Sequence, residues 1–152
     1  MNVEDRIVDL GLEIPETPEP VASYISAVQS DKLVFTSGQV AFIKGELSYR
    51  GKLGESLDVE DGYQSARIAA MNCLSAAKSV IGNLDRIKQI VRMTGFVNSA
   101  PKFVDQPRVL NGASDLLIKI FGDKGKHSRL AIGAAELPLG ASVEIEMIIE
   151  IY

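Results

Sequence analysis

The chain has 152 residues, 46% hydrophobic and 24% charged, with a net charge of −4. That supplies one domain with a real core. The acidic balance argues against a general nucleic-acid binder, whose affinity would rest on Lys and Arg meeting phosphates. One Cys and one His exclude an internal disulfide framework and a zinc-ligand spacing, and leave little material for a His-based triad. No stretch approaches the roughly 20 apolar residues of a membrane span. The mixed, acidic N-terminus lacks the apolar run of a signal peptide, so the expectation is a cytoplasmic protein with neither a nucleic-acid nor a membrane partner.

In chain order, Asn2 to Leu10 reads as a short helix capped by Asn2, with Gly11 just past its end. Pro15, Pro18 and Pro20 then force an extended connection, so residues 1–20 form an N-terminal extension of a single domain spanning 1–152. Val21 to Val28 and Lys32 to Gly38 are two β-rich runs around Gln29-Ser30-Asp31, a hairpin pattern. Short β-like pieces follow over Gln39 to Leu47, and Tyr49 to Glu55 is a loop. The first long helix shows one stripe of Val59, Tyr63, Ala66, Ala70, Cys73, Ala77 and Val80. Asp58 is its N-cap and Gly82 its stop. The alanines let it lie close against a sheet.

Ile87 to Phe96 is then a strand, broken by Asn98-Ser99-Ala100-Pro101. Pro107 sits in the first turn of a second helix, whose stripe is Val109, Ala113, Leu116 and Ile120. Gly122 and Gly125 end it. Arg129 to Ala135 reads as a strand, and Leu137-Pro138-Leu139-Gly140 as a turn. The last stretch alternates strictly: Val143, Ile145, Met147, Ile149 and Ile151 share one side, and Glu144, Glu146, Ile148 and Glu150 share the other. If the last two strands form a simple hairpin with an even-length loop, Arg129 lies on the same face as Glu144 and Glu146. The order β-β, helix, β, helix, β-β predicts an α+β sandwich, with two long helices on one face of the sheet. The other face would carry Arg129, the glutamates, Ile148 and Phe35 or Thr36, a reasonable subunit interface.

An Arg, then Leu137-Pro138, a short turn and Val143-Glu144-Ile145-Glu146 near the C-terminus resembles the Rid/YjgF family of reactive-intermediate deaminases (older label: endoribonuclease L-PSP). Val34-Phe35-Thr36-Ser37-Gly38-Gln39 is similar to the family's N-terminal strand, and Tyr24 falls where the family has an active-site Tyr. The resemblance implies a chorismate-mutase-like fold with a mixed sheet, a homotrimer, ligand clefts between subunits and no cofactor. It also implies hydrolysis of 2-imino or 2-enamino acids to 2-keto acids and ammonia.

The same resemblance distributes the roles. Arg129 would clamp the substrate carboxylate through paired hydrogen bonds, the bland alternative being a salt bridge to Glu144 or Glu146. Glu144, fifteen residues later in the sequence, would handle the attacking water as a general base. Glu146 reads better as a structural partner of a cation across the interface. Tyr24 supplies a hydroxyl or an aromatic wall, unless it is a strand aromatic. The Ser37-Gly38 backbone shapes the site. Asn111 matches a family Asn only with one residue inserted before Arg129, and otherwise is an exposed helix position. Ala131 stands where the family often has a Cys; nothing is lost if the backbone carbonyl acts there, and chemistry is weakened if the thiol matters. Cys73 reads as core, and His127 as a cleft-entrance or turn residue. The N-terminal helix and the Asn98 to Gln106 connection make the chain longer than compact family members. Three activities compete: an imine deaminase, a small-carboxylate (keto acid) binding module, and a ribonuclease, which the acidic charge disfavours.

Overall fold

The computed structural model describes residues 1–17, 19 and 22–152. The expectations placed on Pro18, Pro20 and Val21 fall outside the described residues. Helix α1 spans Val3–Asp9, and Asn2 Oδ1 caps it by accepting from the Asp5 amide at 2.7 Å. Strands β1 (Ala27–Ser30) and β2 (Leu33–Thr36) form the first hairpin. Its turn falls on Asp31, which takes a left-handed φ of 52°, so Gln29 and Ser30 belong to the strand. The expected strand over residues 22–26 is absent, because β1 begins only at Ala27. A two-stranded ladder of β3 (Phe42–Ile43) and β4 (Glu46–Leu47) lies apart from the main sheet.

Helix α2 spans Val59–Ile81. Asp58 and Asp61 satisfy each other's amides as a reciprocal capping box. Its middle is buried nearly all round, from Ala69 to Ala77, so a single stripe understates it. At the far end Ile81, not the more exposed Val80, turns inward. Small side chains bring this helix close enough for the Cys73 thiol to donate to the Ile145 carbonyl at 3.3 Å. Burial pushes that thiol up to about 12, which makes Cys73 core and not nucleophile. Helix α3 (Gln106–Phe121) packs beside α2, with Val109, Ala113, Leu116 and Ile120 buried as its stripe predicts.

The main sheet has the order β1-β2-β7-β5-β6. Strand β5 (Ile87–Asn98) pairs antiparallel with β7 (Val143–Ile151) and parallel with β6 (Ser128–Ala134). This corrects the expected closing hairpin. β6 and β7 are neighbours in sequence, yet β5 lies between them. Strand, helix and parallel strand (β5, α3, β6) form a crossover unit, which needs a connection about as long as a helix. The turn after β6 then carries the chain past β5, using left-handed Leu139 and Gly140. Val143, Ile145, Met147, Ile149 and Ile151 are all buried against the helices, each worth about 1.5–3 kcal/mol on full burial. Among the described residues, no helix lies on the opposite sheet face. Phe35, Leu130 and Ile132 stand there about 40% exposed. Thr36 belongs to the helix side instead. It is buried, and its hydroxyl accepts from the Met147 amide.

Candidate active site

Arg129 lies on the edge strand β6, opposite Met93 and, through it, Met147. Residues opposed across a sheet share a face, and Met93 and Met147 are core residues under the helices. Arg129 therefore points to the helix side, not to the face of Glu144. The flank of α3 receives it. Its Nη1 donates to Asn111 Oδ1 at 2.9 Å and to Ser114 Oγ at 3.1 Å. Both Nη1 hydrogens are thereby used on neutral oxygens. Among the described residues, no carboxylate pairs with Arg129 and nothing accepts from Nε or Nη2. A guanidinium has five N–H donors, and the Nε–Nη2 edge that remains has the fork geometry a carboxylate takes. Asn111 is exposed, as expected of its helix position, yet its side chain is tied to Arg129. Ala131 follows on the same strand face, opposite Gly95, and packs on the core.

Glu144 lies elsewhere. It is opposed to Phe96 and shares the open face with Glu146. Gly38 runs beside it. A Cβ on Gly38 would stand 2.5 Å from Glu144 Oε1, so a side chain there would push that carboxylate from its place. Paired backbone bonds between Gln39 and Ile145, at 2.8 and 2.9 Å, hold the two segments together. Burial holds the Glu144 carboxyl above its usual range, and the charge of Glu146 adds to the effect. Among the described residues Glu146 has no ion-pair partner. The Ser37 hydroxyl donates to the Ile25 carbonyl at 2.6 Å, and its amide donates to the Ser26 carbonyl. These bonds tie the Tyr24 segment to the end of β2. Tyr24 itself is outside any strand and 53% exposed, so the reading as a packed strand aromatic does not hold.

The predicted residues thus divide into two groups. Arg129, Asn111 and Ala131 gather at the β6 edge under α3. Glu144, Gly38, Ser37 and Tyr24 gather at the other end of β7. Met147 marks the Arg129 row, and Glu144 is three residues from it on a strand two places over. That is about 10 Å along the strand and about 10 Å across it, with the side chains leaving opposite faces. One chain does not bring the guanidinium and the carboxylate together.

Ser114 and His127 belong to the first group; the sequence offered His127 as a cleft-entrance or turn residue and did not single out Ser114. His127 Nε2 lies 2.9 Å from Ser114 Oγ, and Nδ1 lies 2.6 Å from the Gly125 carbonyl. A shallow groove of about 260 Å³ runs beside them, lined by Ser114, Ile118, Lys126, His127 and Arg129. The signal for Ser114 was its spacing, one helical turn after Asn111. Among the described residues, no helix is long and apolar enough to cross a membrane.

Residues 4–151 match the model of the family described as "YjgF/chorismate mutase-like, putative endoribonuclease". Protein TCP17 of Trypanosoma cruzi is 40% identical over 143 residues, covering 93% of this chain and 89% of that protein. A RutC family protein of Aquifex aeolicus is 30% identical over 138 residues, covering 90% and 95%. The crystal structure of a protein of unknown function from Agrobacterium tumefaciens superposes with a TM-score of 0.93 at 37% identity, covering 99% of this chain and 92% of that one.

Proposed function

The chain belongs to the YjgF/chorismate mutase-like family, and on that premise we propose that it hydrolyses short-lived 2-imino or 2-enamino acids to 2-keto acids and ammonia. The clefts would lie between copies of the chain in a homotrimer. The observation that carries this reading is the Arg129 guanidinium. It is held by two neutral partners, and its Nε–Nη2 edge is left for a carboxylate. The separation of Arg129 from Glu144 supports a cleft built from two chains, with the clamp from one and the carboxylate from its neighbour. Exposed Phe35, Leu130 and Ile132 give the open sheet face apolar surface for a neighbour to cover.

In this cleft Arg129 fixes the substrate carboxylate, so the imine carbon is held in place. Glu144 of the adjoining chain takes a proton from water as the oxygen adds to that carbon. That proton passes to nitrogen to give a carbinolamine; the hydroxyl proton then follows to nitrogen as the C–N bond breaks, so ammonia leaves and the C=O bond forms. The Gly38 backbone lets water approach Glu144 closely, and Tyr24 closes the wall. The substrate is already electrophilic, so positioning and proton transfer suffice and the reading requires no cofactor.

Ala131 favours a second reading. Without a thiol two residues after Arg129, the same cleft would bind a small keto acid without turnover. Measuring imine hydrolysis separates the two. 2-Iminobutyrate is generated in situ, trapped with semicarbazide, and its loss compared for wild type and Arg129→Ala. Acceleration by wild type only is expected. Saturable 2-ketobutyrate binding without acceleration would favour the binding module, and full activity of Arg129→Ala would remove Arg129 from the site.

A further inference from the structure

Ser114 and His127 carry a constraint that the clamp itself does not explain. A backbone carbonyl only accepts hydrogen bonds, so His127 Nδ1 must carry the hydrogen it shares with Gly125 at 2.6 Å. A guanidinium only donates, so Ser114 Oγ accepts from Arg129 Nη1 at 3.1 Å. In the neutral imidazole Nε2 is then an acceptor, and the Ser114 hydroxyl hydrogen points to it over 2.9 Å. The bonds run one way: Arg129 to Ser114, Ser114 to His127, His127 to Gly125. Every member has its role set by a neighbour that cannot reverse. Asn111 Oδ1 takes the second Nη1 hydrogen.

We infer that Ser114 and His127 are positioning residues for Arg129, a latch that spends Nη1 on α3 and turns the Nε–Nη2 edge toward a bound carboxylate. The benefit of such a latch to a ligand rests on the carboxylate-clamp reading of Arg129 given above. Arg side chains lose about 2 kcal/mol of rotamer freedom when fixed. A guanidinium already held in one pose loses less of it on binding, which is preorganisation. Each of the two residues acts through the guanidinium.

The test uses the fact that His127 is the only histidine. Nitrogen-15 NMR of the full-length protein at a pH where the imidazole is neutral reads its tautomer without assignment ambiguity. The latch predicts hydrogen on Nδ1, and a sharp, dispersed Nε–H signal for Arg129, identified by its loss in Arg129→Ala. Ser114→Ala suits helix α3, since alanine is the best helix former. It should collapse the Arg129 signal toward that of a free side chain and weaken 2-ketobutyrate binding about five- to tenfold, the worth of one hydrogen bond. In turnover the loss should fall on KM, with kcat nearly kept. Hydrogen on Nε2 in the wild type, or an Arg129 signal unmoved in Ser114→Ala, would overturn the latch. Failure of wild type to bind 2-ketobutyrate would overturn the clamp reading instead, and the two NMR signals would still decide the latch.

Discussion

Arg129 and Glu144 leave opposite faces of one sheet. Arg129 stands in the row of Met93 and Met147, which faces the helices, and Glu144 stands opposite Phe96 on the open face. Under the proposed function, a clamp and a base divided in this way act only where two chains meet. The division also explains why each half carries an unmet demand. The guanidinium lacks an anion, and the carboxyl is held above its usual range by burial and by Glu146.

That raised carboxyl sets the pH dependence. Protonated Glu144 accepts no proton from water, so activity should rise as pH climbs through its elevated value. Glu146→Gln removes the neighbouring negative charge and should move the rise to lower pH. Glu144→Gln should abolish it. Stability runs the other way. A group whose folded value is raised contributes stability below its ordinary value of 4.5, and that contribution is lost as pH rises to the elevated one. Melting temperatures across this window should fall with rising pH in the wild type, and fall less in Glu144→Gln.

Gly38→Ala tests the contact between the two segments of the second group. The new methyl would lie 2.5 Å from Glu144 Oε1, so the carboxylate must swing away. The backbone of Gly38 needs no left-handed conformation, and the position is exposed, so the melting temperature should stay within a few degrees. Displacing the base by about 1 Å should lower kcat about 10- to 100-fold. An active Gly38→Ala would show that Glu144 can be moved without cost, which removes it as the base.

Gly112→Ala tests how closely the two helices pack. In an exposed helix the change would gain about 1 kcal/mol. Here the methyl would lie 2.0 Å from the Tyr63 carbonyl oxygen, a backbone atom that cannot rotate away. Overpacking of this kind costs about 1–3 kcal/mol and sometimes more. Net destabilisation of about 1 kcal/mol is expected, read as a fall of about 3 °C in melting temperature.

The helices and the last strand were legible because their signals are local. Asp58, the alanine stripe and Gly82 mark α2, and strict alternation from Val143 to Ile151 marks β7. The sheet order was not legible, because strand adjacency is a long-range property. The eight residues between Ala134 and Val143 resemble a hairpin loop, and nothing local reveals that β5 occupies the place beside β7. From that one error followed the wrong face for Arg129. The helix between β5 and β6 was the available clue, since a strand, a helix and a strand favour a parallel pair. Of the candidate site, Arg129, Glu144 and Gly38 were picked out by their resemblance to family motifs. Ser114 was hidden and His127 was read only as a cleft-entrance or turn residue, because their tie to Arg129 appears only when α3 is laid against β6.

The central claim is that the clamp and the base come from different chains. Arg129→Ala and Glu144→Gln are each expected to be inactive alone in imine hydrolysis. Unfolded and refolded together in equal amounts, they should form mixed assemblies in which about one quarter of the clefts pair a wild-type Arg129 with a wild-type Glu144. Recovery of about that fraction of wild-type activity is the predicted result. Mixed assemblies that remain as inactive as either variant alone would contradict it.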